Sequence, residues 1–148
     1  MSTSCATMRL TRRYAFAASH RLYSPQLSEE ENRETFGKCA NPHGHGHNYE
    51  VEVTVVGPVD PVTGRVADLS VLDGLAEEQI LKPFRYRDLN KEVPAFAHAV
   101  PTTENLALEV DRRLRAAWKT AFVSGEPRLE KVRIRETARN ICEIQGQP

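Results

Sequence analysis

Three histidines fall within five residues, at His43, His45 and His47, and Cys39 stands six residues before His45. The stretch reads Gly37-Lys-Cys-Ala-Asn-Pro-His-Gly-His-Gly-His-Asn-Tyr49 and runs into the alternating segment Glu50-Val-Glu-Val-Thr-Val-Val56. Side chains two apart on a strand project to the same face. A strand that begins near His45 therefore sets His45 and His47 side by side on the face that carries Tyr49, Val51, Val53 and Val55. Two neutral imidazoles held that way are a ready pair of metal ligands, and zinc is their usual guest. A catalytic zinc takes a third protein ligand and keeps one position open. The best third candidate is His20. In the run from Tyr14 to Leu22, residues Tyr14, Phe16, Ala18, His20 and Leu22 share one parity, which puts His20 on the bulky, inward-looking face. Its choice rests on the His-x-His pair being one partner short.

The elements that must hold these groups follow from periodicity. Residues 8–22 read as a first strand and 45–56 as a second, with the acidic run Ser28-Glu-Glu-Glu-Asn-Arg-Glu34 as a loop between them. Gly57-Pro-Val-Asp-Pro-Val-Thr-Gly64 is dense in turn residues and predicts a hairpin into a short strand over 65–68. Ser70-Val-Leu-Asp73 matches a helix start, with that helix running to about residue 81 and stopping before Pro83. Residues 82–101 read as irregular. A second helix opens at Pro101-Thr-Thr-Glu-Asn105 and carries Leu106, Val110, Leu114 and Trp118 at four-residue spacing. Residues 129–136 and 140–145 form a terminal strand pair. The fold class is α+β, with helices laid on one face of an antiparallel sheet.

Composition bounds the function. Lys plus Arg equals Asp plus Glu at 20 each, so no global basic field points to nucleic acid or an anionic membrane. No apolar run approaches the span of a bilayer, and the first residues lack the basic-then-apolar pattern of a signal peptide. Cys5, Cys39 and Cys142 are odd in number and far apart, which argues against a disulfide framework and fits a reducing cytoplasm. The 148 residues read as one domain, with residues 1–7 a flexible extension.

Five motifs, in order along the chain, now carry a resemblance: Phe16-Ala-Ala-Ser-His20-Arg-Leu, the Gly37 to Tyr49 run, Asp60-Pro-Val-Thr-Gly64, Pro101-Thr-Thr-Glu-Asn105 and Arg135-Glu-Thr137. Together they resemble the 6-pyruvoyl tetrahydropterin synthase family, over about residues 8–146. That family includes the 6-carboxytetrahydropterin synthases of deazapurine (queuosine) synthesis, and the motifs around Cys39 and Asp60 sit closer to the pyruvoyl, tetrahydrobiopterin type. The resemblance implies a tunnelling fold, in which subunits close their sheets into a barrel. It implies a homohexamer with sites between subunits, and a lyase that binds zinc and acts on 7,8-dihydroneopterin triphosphate. It assigns His20, His45 and His47 as zinc ligands and Cys39 as general base, where a nearby zinc and Lys38 favour the thiolate. The competing reading of Cys39 is a small buried apolar residue.

Pterin recognition calls for a carboxylate, because the ring offers an amino group and a ring N–H side by side. Glu136 shares parity with Val132 and Ile134 and faces inward, and the family's pterin-anchoring glutamate falls at this position. The resemblance adds Thr102, Thr103 and Glu104 as pterin contacts, while Glu104 in the opening turn of a helix reads equally as dipole compensation. One departure stands out. Where the family shows Lys-Pro-Leu-Asp-His-Lys-Asn-Leu, this chain has Lys82-Pro-Phe-Arg-Tyr-Arg-Asp-Leu89, so Arg85-Tyr86 replaces the Asp-His dyad that relays protons with the cysteine. Tyr86 as proton donor, Asp88 or His98 as substitute, and loss of the lyase reaction all stand open. The last reading leaves side-chain cleavage, 6-carboxytetrahydropterin formation, or pterin binding without catalysis. A solvated polar loop at Arg85-Tyr86-Arg87, or an anion site built by Arg85 and Arg87, also stands. His43 is a surplus histidine without an assigned role.

Overall fold

Alternation of apolar and polar residues makes two long strands of the first half of the chain. The computed structural model describes residues 6–146. In it β1 (Thr7–His20) and β2 (His45–Pro58) pair antiparallel along their full lengths, from Thr7 opposite Pro58 to His20 opposite His45. Of the expected N-terminal extension, residues 1–5 lie outside the described residues, and Thr7 already belongs to β1. β3 (Arg128–Arg135) pairs with β2, and β4 (Ile141–Gln145) with β3, giving the antiparallel order β1-β2-β3-β4. A bulge opposite Thr54 and Val55 shifts the register, with Thr54 facing Lys131 and Val55 facing Leu129. That extra residue lets Leu129 and Val132, three apart, both turn inward.

Inward parity brings a row of buried residues across the sheet, Phe16 and Ala18, then Tyr49, Val51, Val53 and Val55, then Val132 and Ile134, while Tyr14 on the edge strand β1 is half-buried. They face α2 (Leu69–Ala76) and α5 (Thr103–Ala121), which bury Leu72, Leu75, Leu106, Val110 and Leu114. Trp118, the last of the predicted stripe, packs at the margin and donates its indole N–H to the Pro127 carbonyl at 2.9 Å. The opposite face carries cross-strand ion pairs, Arg13 and Arg133 on Glu52 and Arg135 on Glu50. Such exposed pairs add little stability but keep that face polar. α2 is tied to the edge of β1 by Asp73, which accepts from Arg12 Nη2 and the Tyr14 hydroxyl, both at 2.7 Å.

Four segments differ from expectation. The acidic run is a helix, α1 (Glu29–Phe36): Ser28 caps it by accepting from the Glu31 N–H, and three glutamates occupy the favourable first turn. Residues 65–68 form no strand, because β1 and β3 already occupy both edges of β2 and the turn closes on itself through Gly64 N–H to Asp60 O. The cap of α2 is Asp68, not Ser70; its carboxylate accepts from the Ser70 and Val71 N–H groups. The helix also runs past Pro83. It widens into a π segment (Glu77–Leu81) and ends as α3 (Lys82–Phe84). Proline at 83 has no N–H for the carbonyl four residues earlier, and that carbonyl, on Gln79, accepts from Arg113 Nε instead. Residues 82–101 are less irregular than expected, holding α4 (Leu89–Glu92) and a 3₁₀ turn, Pro94–Phe96.

Leu114→Ala removes a fully buried side chain and is expected to cost about 2–5 kcal/mol. Leu108→Ala on the exposed side of the same helix is expected to change stability by less than about 0.5 kcal/mol. Urea unfolding followed by circular dichroism measures both.

Candidate functional site

The β1–β2 register places His20 directly across from His45, and His47 across from Ala18, whose small side chain leaves room for the ring. Chain entry into β2 depends on Gly44. Its φ is +71°, and a Cβ there would lie 2.9 Å from the His20 carbonyl oxygen, so a larger residue would push His45 off its partner. The three rings sit with centroids 4.6–5.0 Å apart, steeply inclined to one another. One nitrogen from each falls within 4.8 Å of the others.

Hydrogen bonding fixes how these rings present themselves. His20, 2% exposed, donates Nδ1–H to the Pro101 carbonyl at 2.8 Å, which leaves Nε2 as a bare lone pair. That Nε2 is 3.0 Å from His45 Nε2. His47 Nε2 is buried without a hydrogen-bond partner, an orphan of the kind that calls for a ligand. Burial holds the His20 imidazole below its ordinary pKa, opposed by the Pro101 carbonyl and by Glu136. Burial, then His47 and more weakly Lys38, does the same to His45. Three inward imidazole nitrogens, those of His20 and His45 biased toward neutrality and the His20 tautomer fixed from behind, suit a divalent metal that prefers imidazole.

A carboxylate completes the pocket. Glu136 directly follows β3 and turns inward as its parity predicts, with a side chain 12% exposed. Thr103 Oγ1–H donates to Oε2 at 2.7 Å, and Asn140 Nδ2 donates to Oε1 at 3.3 Å. Oε1 lies 3.7 Å from His47 Nε2 and Oε2 3.9 Å from His20 Nε2. The Tyr49 hydroxyl is 3.3 Å from His20 Nδ1, and burial pushes its pKa up, so it remains a neutral phenol. Thr103 and Glu136 therefore meet. Thr102 instead caps α5, accepting from the Asn105 N–H at 3.1 Å. Glu104, a further 100° around the helix, is exposed and lies against Cys142, whose thiol pKa is raised by burial and then by Glu104.

Cys39 sits half-buried in a 3₁₀ turn, Gly37–Ala40. The turn is held to the chain just past His20: Leu22 N–H donates to Cys39 O at 2.9 Å and Arg21 Nε to Ala40 O at 2.8 Å. His43 is exposed, away from the three-histidine group. Tyr86 takes a different place. It is the one non-glycine among the described residues with positive φ, at 60°, and it is 81% exposed. Its N–H donates to Ala17 O and Arg87 O accepts from the Ser19 N–H, which staples this segment to β1. Together with Arg87, Tyr86 borders a cavity at this edge of the sheet that is also lined by Ala17, Ala18, Ser19, Gly46, His47 and Asn48. Arg85 pairs with Glu77 at 3.4 Å, Asp88 caps α4, and His98 is exposed. Asn140 and Tyr49 were not singled out by sequence. Tyr49 shares the parity of His47, whereas Asn140 carries no pattern beyond lying four residues after Glu136.

Comparison with known proteins agrees with this geometry. A model of the 6-pyruvoyl tetrahydropterin synthase family matches residues 9–147. The 6-pyruvoyl tetrahydrobiopterin synthase of Poecilia reticulata is 46% identical over 138 residues, 93% of this chain and 90% of that protein. Its human counterpart is 45% identical over 138 residues, 93% and 91% of the two chains. The structure of Caenorhabditis elegans 6-pyruvoyl tetrahydropterin synthase superposes with a TM-score of 0.87 at 39% identity, covering 97% of this chain and 98% of that one. With a family model spanning residues 9–147, a relative 46% identical over 93% of the chain and a shared fold, the chain belongs to the 6-pyruvoyl tetrahydropterin synthase family.

Proposed function

We propose that this protein is a zinc-dependent pterin lyase that acts on 7,8-dihydroneopterin triphosphate and eliminates triphosphate. The observation that carries the reading is the Glu136 carboxylate standing 3.7–3.9 Å from the nitrogens of His47 and His20. One small molecule can then bond the carboxylate through its amino and ring N–H fork while its side chain meets the three imidazoles. His20, His45 and His47 would hold a zinc ion, which when bound would supply a Lewis acid for the side-chain hydroxyls. The chain's own residues do the rest. Glu136 orients the ring, with Thr103 holding one carboxylate oxygen. Cys39, on a turn anchored beside His20, takes the proton from the side chain, and the carbon–oxygen bond to triphosphate then breaks with its electron pair leaving on the phosphate. Pro101 O holds the His20 ring in place.

The assembly we infer is a homohexamer that closes sheets into a barrel. β1 and β4 are the two edges of an open four-stranded sheet, and ring closure removes exposed edges. Tyr86, exposed in the single chain, then serves as proton donor by entering a neighbouring subunit's pocket. Glu104, exposed beside β4, faces the same kind of boundary. The outward placement of Tyr86 also favours a second reading, a catalytically reduced protein that keeps the metal and the Glu136 anchor. Among the described residues no helix is long and apolar enough to cross a membrane; we place the protein in the cytoplasm on its unpaired Cys39 and Cys142.

Metal analysis of purified protein is expected to find about one zinc per chain. His45→Ala and His47→Ala lose most of it and His43→Ala keeps it; a depleted His43→Ala with a loaded His45→Ala reverses the ligand assignment. Incubation with dihydroneopterin triphosphate should release tripolyphosphate, read by mass spectrometry. A two-carbon aldehyde would mark side-chain cleavage instead, and binding without turnover the reduced protein. Cys39→Ala is expected to lower turnover by about 10²–10⁴ with zinc and pterin binding kept. Light scattering should give a hexamer mass, and a monomer mass sinks the role of Tyr86 across a boundary.

A further inference from the structure

Asn140 ends the short connection between β3 and β4, a turn that holds itself together without the Asn140 side chain. Glu136 N–H donates to Asn140 O at 3.0 Å, and Thr137 Oγ1 accepts from the N–H groups of Arg139 and Asn140 at 3.2 and 3.1 Å. The carboxamide is therefore free for other work. It points back across the turn, with Nδ2 3.3 Å from Glu136 Oε1 and 3.2 Å from Thr103 Oγ1. Both neighbours can take its protons: a carboxylate only accepts, and the Thr103 hydroxyl has given its own proton to Glu136 Oε2. The result is a closed triangle in which each oxygen of Glu136 is held from the same side by a different donor.

We propose that Asn140 is a positioning residue for ligand recognition: its amide, with Thr103, fixes the plane of the Glu136 carboxylate so that both oxygens offer their remaining lone pairs to a two-pronged N–H donor. The inference rests on the pterin-binding reading of this site. Geometry gives the reason for a second holder. A carboxylate at the end of a strand turns about its last torsion, which is broad. A single bond from Thr103 to Oε2 leaves Oε1 to swing, while His47 Nε2 at 3.7 Å is close enough to draw it toward the imidazoles. With Asn140 on Oε1 that rotation is blocked. A planar donor fork needs both oxygens in its plane at once, so the restraint matters for such a ligand and little for one that makes a single bond.

The test uses zinc-loaded protein, with neopterin and its 2-oxo analogue as probes and fluorescence titration as readout. The 2-oxo analogue replaces the amino donor by a carbonyl and loses one prong. Wild type should bind neopterin well above the analogue. Asn140→Ala should weaken neopterin by about ten-fold, the scale of one lost hydrogen bond to a charged group, and leave the analogue nearly unchanged. Preference between the two probes then collapses while zinc content stays at the wild-type level. Asn140→Asp keeps the size and turn preference of the side chain and removes the donor, so it should lose at least as much, and it carries the test should the alanine variant fold poorly. Thr137→Ala loosens the turn without touching the carboxylate and should keep the preference. Unchanged preference in both Asn140 variants overturns the proposal, as does an equal loss in Thr137→Ala, which would assign the effect to turn geometry. A wild type that binds neopterin no better than the analogue overturns the anchoring role of Glu136 itself.

Discussion

The antiparallel ladder between β1 and β2 carries 14 successive pairs from Thr7–Pro58 to His20–His45, and the functional end of the molecule exists only because that ladder keeps its register. Side chains alternate with a period of two, so a slip of one residue would send His45 and His47 to the outer face and leave His20 alone. The register is secured by burial along the way. Phe16 opposite Tyr49 stacks at 5.2 Å between ring centroids, and Val51, Val53 and Val55 are fully enclosed under α2 and α5. Turning Tyr49, Val51, Val53 and Val55 of β2 to water would cost far more than any metal cluster at one end could return. The apolar core thus specifies the metal geometry, and the histidines inherit it.

Glu136 shows the same dependence from the end of β3. A carboxylate this enclosed is costly unless its oxygens are bonded, and its partners arrive from separate elements: Thr103 from α5, Asn140 from the β3–β4 turn, the imidazoles from β1 and β2. α5 is oriented by Leu106, Val110 and Leu114 against the sheet. That packing delivers Thr103 inward and leaves Thr102 to cap and Glu104 to face out. Three consecutive polar residues acquire three different tasks, Thr102 as the extended cap and Thr103 and Glu104 by the 100° step of the helix.

The segment from Glu77 to Asp88 is where local preference is overridden. A π turn precedes Pro83, Arg113 takes the carbonyl that proline leaves unpaired, and Tyr86 is held at positive φ by its own bond to Ala17 and by the bond from Ser19 to the adjoining Arg87 carbonyl. A bulky residue in that conformation carries backbone strain of about 1–3 kcal/mol, sustained here by the strand it is stapled to. The consequence is an aromatic ring left largely in solvent at the edge of β1.

Periodicity and motif spacing were enough to identify the antiparallel sheet, the α5 stripe, the three metal-ligand candidates and the inward glutamate. Each depends on parity along one element, which is a property of the backbone and needs no neighbours. Thr102, Thr103 and Glu104 were legible as a group but not as individuals, because the helix phase relative to the sheet is set by packing. The α1 helix escaped notice since its face is polar, and its signal was the Ser28 cap alone. Asn140 was invisible: its role arises from a turn that folds it back onto Glu136, and no periodicity connects the two. The exposure of Tyr86 was likewise undetermined by sequence, since it depends on a π segment and a left-handed residue that local propensity disfavours. Sequence by itself determined which residues share a face; tertiary structure alone decided which faces meet, because that choice is made by burial of Val51, Val53, Leu106 and Leu114 far from the site.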